Sequence, residues 1–161
     1  MSTLRTACRR LNKLRNRRAG AAFLVLAAAG AWYSTLLAQT SRSVWDGVFT
    51  AEQAQRGEQL YSNECASCHG LSLNGGESAP PLVGGEFLSS WNGLTVGDLF
   101  DRIRTSMPAD RPGRLTREQT ANILAHILKV NQFPPGDTAL DTRTEVLKQI
   151  LLETTKPESK K

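Results

Sequence analysis

The sequence is poor in sulfur and imidazole, with three cysteines, two methionines and two histidines in 161 residues. So few cysteines exclude a disulfide-stapled scaffold. Two histidines leave no second Cys or His pair to complete a structural zinc site. Strand-like alternation of apolar and polar residues is missing, and with it the βαβ setting of a thioredoxin-type CxxC pair. There are no internal repeats, and acidic residues are absent from Met1 to Ala38.

That first stretch holds Arg5, Arg9, Arg10, Lys13, Arg15, Arg17 and Arg18, followed by an uncharged run from Ala19 to Ala38. A basic segment leading into an apolar one is the order of an export signal. Leu36 and Ala38 put a cleavage bond near Ala38 and Gln39, while about 20 uncharged residues are also long enough to remain as a membrane anchor through 19–38. Either way the basic flank stays in the cytoplasm and the rest of the chain is expected in the periplasm, soluble or N-terminally anchored. Neither Arg9-Arg10 nor Arg17-Arg18 leads into the bulky apolar residues of a twin-arginine signal, so the general export route is expected. Without its leader the chain has 13 Lys and Arg against 15 Asp and Glu. The formal charge of +5 therefore belongs to the leader, and no nucleic-acid partner is expected. Cys8 goes with the leader too, which leaves Cys65 and Cys68.

The remaining chain reads as helices. Thr50 and Gln53 form a capping-box pattern that predicts a helix from Ala51 to about Asn63. Thr95 with Asp98 starts a second helix, in which Val96, Leu99, Phe100 and Ile103 recur at helical spacing down to Ser106. Thr116 with Gln119 opens a third, with Ile123, Leu124, Ile127 and Leu128 as its apolar stripe to Asn131. A further amphipathic helix is expected from Thr142 to Leu152. Between the first two helices, Ala66 to Gly85 is rich in Gly, Ser and Pro and reads as a loop wrapped around something. The organisation is a signal peptide or anchor over 1–38, an extended arm over 39–50, a helical domain over 51–140, and a C-terminal helix and polar tail over 141–161.

Cys65-Ala66-Ser67-Cys68-His69 is the chemical centre of this sequence. The spacing places two thiols where they can add across the two vinyl groups on one side of a porphyrin, with the next residue's imidazole beneath the iron. It implies one covalent haem c, held by Cys65 and Cys68 and ligated by His69. Once the leader is removed, the candidates for the second axial ligand are Met107 and His126. Met107 ends a helix before Pro108 in a Gly- and Pro-punctuated loop that suits a thioether held over the iron. His126 lies within a helix, at an interface or surface position.

Over Gly57 to Gly136 the sequence resembles class I cytochromes c. The resemblance rests on the haem motif, on Gly57 and Tyr61 facing Ile123 and His126 across a pair of helices, and on Met107 after the second helix. His126 departs from the aromatic usual at its position. The resemblance implies an all-α, class I cytochrome c-like fold wrapped around one covalent haem. It also implies that Pro80 accepts a hydrogen bond from the ring N–H of the haem histidine, with Leu82 beside it. Pro81 stands one place further on and offers the same group. Trp91 is similar to aromatics that pack near a haem propionate, and is equally suited to an ordinary core.

His/Met ligation would saturate the iron, so an electron carrier is expected rather than an enzyme. Leu82, Leu99, Ile103 and Leu124 are the side chains expected to bury the haem. Met107-Pro108, Arg114-Leu115-Thr116 and Asn131-Gln132-Phe133-Pro134 resemble small cytochromes associated with quinoprotein dehydrogenases or respiratory chains. The implied partners are a dehydrogenase, an oxidase or a membrane cytochrome complex. A haem subunit of such a complex and a ligand-binding haem sensor are the alternatives. Arg102, Arg104, Arg111, Arg114 and Arg117 cluster around Met107, either as a docking face for an acidic partner or as a solvated face paired with local carboxylates.

Overall fold

A computed structural model describes residues 42–158. The leader and anchor readings of 1–38, the start of the 39–50 arm and the end of the tail lie outside the described residues. The elements in chain order are β1 (Arg42–Ser43), a 3-10 turn (Val44–Asp46), α1 (Ala51–Glu64), α2 (Ala66–His69), α3 (Gly84–Trp91), α4 (Val96–Ser106), α5 (Arg117–Val130), α6 (Thr144–Leu147) and β2 (Ile150–Leu151). The fold is helical, and none of the described helices is long and apolar enough to cross a membrane.

Three helices begin at threonine caps. Thr95 with Asp98 and Thr116 with Gln119 form reciprocal capping boxes at α4 and α5. At α1 only half of the box is made. Thr50 accepts from the Gln53 N–H, while the Gln53 amide donates to the Leu140 carbonyl (3.1 Å) and accepts from the Leu140 N–H (2.7 Å). A buried primary amide that satisfies both backbone groups of one distant residue is a tertiary clamp.

The main helix contact is α1 on α5. Gly57 makes it possible: a Cβ there would lie 1.8 Å from the Asn122 carbonyl oxygen and 3.0 Å from the His126 Cβ. The partners at the crossing are therefore Asn122 and His126, one turn apart. His126 is buried, with its ring centroid 5.4 Å from that of Tyr61. Burial holds its pKa below the ordinary histidine range, with Glu58 opposing and Lys129 adding to the depression. A neutral ring suits this apolar packing position. Gly57→Ala is expected to destabilise the protein by at least about 2 kcal/mol despite the higher helix propensity of alanine, because the added methyl meets backbone that cannot rotate away. Urea denaturation of the haem-bound protein measures it, and a stability equal to wild type would contradict so close a crossing.

Three expectations change. In the described part of the 39–50 segment, Arg42–Ser43 is a short strand and Val44–Asp46 a 3-10 turn, and Val44, Val48 and Phe49 are buried in the core. Its Phe49 carbonyl accepts from the Gly136 N–H at 2.7 Å. The helix expected over Thr142–Leu152 is a single turn, Thr144–Leu147. The chain then passes so close to Gly97 that a Cβ there would lie 2.6 Å from the Lys148 nitrogen, and it ends extended. Ile150 and Leu152 are buried while Leu151 between them is partly exposed, a period of two that a helix cannot satisfy. Arg42–Ser43 pairs in parallel with Ile150–Leu151, and the Trp45 indole donates to the Glu153 carbonyl at 2.9 Å. Third, the stretch read as loop over Ala66 to Gly85 opens with the single turn of α2 and closes on the start of α3, Gly84–Trp91. Burial of Phe87, with Leu88 and Trp91 partly covered on the same core, overrides weak helix propensity there.

Candidate functional site

The α1 helix ends at Glu64 and the chain turns at Cys65 into the single turn of α2, which brings Cys65, Cys68 and His69 to the wall of one cavity of about 620 Å³. Cys65 is partly buried and Cys68 is exposed; both are free thiols. Burial pushes the Cys65 thiol up to about 11, with Glu64 and Cys68 adding to it. Tyr61, one turn before Cys65, donates its hydroxyl to the Gly70 carbonyl at 2.8 Å and so ties α1 to the residue after His69. Burial raises that phenol to about 12. It stays a donor throughout the accessible pH range.

His69 is buried, and its Nδ1 lies 2.9 Å from the Pro80 carbonyl oxygen. A carbonyl only accepts, so Nδ1 carries the proton and Nε2 keeps its lone pair. Among the described residues Nε2 has no protein partner. Pro81 lines the same cavity but does not make this contact. The segment is held from the far side by Asn131, at the end of α5. Its amide donates to the Leu82 and Ile127 carbonyls, each at 2.9 Å, and accepts from the Gly84 N–H at 3.1 Å. One side chain thus fixes the loop that carries Pro80 and Leu82.

Met107 caps the C-terminus of α4, its N–H bonded to the Ile103 carbonyl at 2.9 Å, and it lines the cavity with Leu99 and Ile103 from the same helix. Leu82, Phe87 and Trp91 complete the apolar wall, with Ile123 and Ile127 from α5. Leu124, expected on this wall, is fully buried elsewhere in the core. Ile123, expected at the helix crossing, faces the cavity instead. Residues 122 and 126 share one face of α5, and 123 and 127 the next, so a rotation of one residue decides which pair meets α1 and which meets the cavity. His126 is not among the cavity residues.

The arginines around Met107 differ in their partners. Arg111 pairs with Asp110 at 2.9 Å and Arg114 with Glu64 at 2.7 Å. Arg117 donates to the Thr142 carbonyl, and Arg102 lines the cavity. Asn131, Phe87, Ile127 and Glu64 were not singled out from the sequence as site residues. For Phe87 the spacing to Leu88 and Trp91 was the available signal. For Asn131 and Glu64 there was none, since each acts across about 50 residues.

An imidazole with a free Nε2, two thiols on the same wall, a thioether and an apolar enclosure of cofactor size form a donor set that fits a covalently attached iron porphyrin. Fold and site together define a c-type cytochrome domain. Residues 52–127 match the family described as cytochrome c oxidase, cbb3-type, subunit III. Over 91 residues the chain is 26% identical to the cbb3-type cytochrome c oxidase subunit CcoP of Rubrivivax gelatinosus, a match covering 52% of this chain and 28% of that protein. It therefore spans little more than a quarter of the length of that relative. The sulfane dehydrogenase SoxCD from Paracoccus pantotrophus is a similar solved structure, with a TM-score of 0.47 and 24% identity over 71% of this chain and 66% of that one. Residues 52–127 are a cytochrome c domain of the class I type, which implies covalent haem c and electron transfer.

Proposed function

We propose that this chain is an exported mono-haem c-type cytochrome that passes single electrons between redox partners, with Cys65 and Cys68 as thioether anchors and His69 and Met107 as axial ligands. The observation that carries the reading is the convergence of these four side chains on one apolar cavity, with the His69 tautomer set by Pro80. When bound, haem c supplies a one-electron iron centre. The protein residues tune and shield it. The Pro80 carbonyl raises the basicity of His69, the Met107 thioether favours the reduced state, and Leu82, Leu99, Ile103, Ile123 and Ile127 keep water away. Cys68, exposed at the rim, marks the side on which an edge of the group meets a partner.

The partners proposed are a dehydrogenase, an oxidase or a membrane cytochrome complex in the periplasm, reached by export through the 1–38 leader or from an anchor at 19–38. The domain proper is assigned to 51–140, with the arm and C-terminal segment completing its core. Similarity to an oxidase subunit supports a second reading, in which the chain is a haem-carrying subunit rather than a free carrier. The test is spectroscopic. Purified protein is expected to show the bands of a c-type haem, one haem per chain, and the weak red charge-transfer band of sulfur-to-ferric-iron ligation. A chain without visible absorption, or with two haems, overturns the mono-haem reading.

A further inference from the structure

The loop from Met107 to Thr116 joins α4 to α5 and carries the proposed sixth ligand. Its two ends are anchored in the core by Pro108 and Leu115, while residues 109–114 are all exposed. The backbone bonds of the loop stay within it or run to its own flanking helices: Met107 N–H to Ile103, Arg111 N–H to Pro108 and Arg114 N–H to Arg111. Its Arg111–Asp110 pair is between neighbours. Among the described residues, one hydrogen bond leaves the loop for a different part of the protein. Arg114 donates through a guanidinium nitrogen to Glu64 Oε2 at 2.7 Å, across 50 residues of sequence.

Glu64 is a wall residue of the cavity, directly before Cys65, and its side chain is only 14% exposed against 40% for Arg114. A carboxylate so shielded is poorly solvated and depends on its cation more than a surface carboxylate does. The contact joins the segment that carries the haem anchors to the loop that carries Met107. Releasing it frees the exposed arc 109–114 to swing outward, with Met107 at its root.

We propose that the Glu64–Arg114 ion pair is a positioning strap that holds the Met107 loop closed over the cavity and so sets how often the sixth iron position opens. This rests on the assignment of Met107 as ligand. External ligands enter when the thioether is displaced, so their apparent affinity reads the opening equilibrium. A half-exposed ion pair shifts an equilibrium by up to about fivefold, and the shielding of Glu64 takes the effect toward about tenfold.

The experiment is a spectrophotometric titration of the ferric holoprotein with imidazole. Arg114→Ala and Glu64→Gln are each expected to raise imidazole affinity about five- to tenfold. The double variant should go no further, because both remove the same contact. Arg114→Lys should stay nearer to wild type, and added NaCl should strengthen imidazole binding in wild type but not in the single variants. Equal affinities in wild type and both single variants, or effects that sum in the double variant, overturn the strap while leaving Met107 as ligand. A wild type lacking the red sulfur–iron band overturns the ligand assignment and the strap with it.

Discussion

Met107→Ala is expected to lower the reduction potential by a few tenths of a volt, to abolish the red charge-transfer band of the ferric protein and to open the iron to added imidazole. The size follows from axial-ligand chemistry, since ligand identity spans about 0.8 V across haem proteins. A thioether stabilises ferrous iron relative to water or hydroxide, so its loss favours the ferric state. The geometry adds a reason for specificity. Met107 sits at the end of α4 with its N–H tied back to Ile103, so its side chain starts from a fixed point on the cavity wall. No other methionine follows the leader. His126→Ala serves as the control and should leave both the band and the potential unchanged. Its ring packs on Tyr61 away from the cavity wall, and its removal is expected to cost about 1 to 3 kcal/mol of stability. Persistence of the red band in Met107→Ala, or its loss in His126→Ala, would reverse the assignment.

Replacing both anchors, as Cys65→Ala with Cys68→Ala, should yield a chain without covalent haem and without a cooperative unfolding transition. The cavity is not peripheral to the core. Leu99, Ile103, Phe87, Ile123 and Ile127 each give it a wall, so side chains that would otherwise pack on one another face the cavity instead. At about 24 cal/mol per Å³, leaving such a volume unfilled forfeits on the order of 10 kcal/mol, even after discounting its open mouth. A domain of this size has about 5–15 kcal/mol of stability in total. Cofactor binding and folding are thus the same equilibrium seen from two sides. Circular dichroism and fluorescence during urea titration of the double variant provide the measurement. A single sharp transition matching that of the haem-bound protein would show that the helices hold together alone.

Much of the site could be read along the chain because its parts are local. Cys65, Cys68 and His69 lie within five residues. The caps at Thr50, Thr95 and Thr116 start helices that the structure begins at the same places. The errors have a common cause in packing that overrides local signal. Val44 and Phe49 look like part of an arm, yet both are buried in the core, and the Phe49 carbonyl accepts from the distant Gly136 N–H. Thr142–Leu152 has the apolar content of a helix, yet close passage over Gly97 and pairing with Arg42–Ser43 draw its second half out straight. Arg114 and Arg117 find partners as distant as Glu64 and Thr142, which no local pattern announces.

The sequence by itself determined the helical class and the grouping of Cys65, Cys68 and His69, because a CxxCH motif, a cap and an apolar stripe each depend on residues within one or two turns of each other. The tertiary structure alone decided which pair of α5 residues meets α1 and which meets the cavity, that Pro80 rather than Pro81 holds the imidazole, that Asn131 clamps the loop between them and that Arg114 reaches Glu64. Each of those contacts joins atoms far apart in the chain or selects between neighbours of equal chemistry, and only the packed chain brings one candidate within bonding distance and leaves the other outside it.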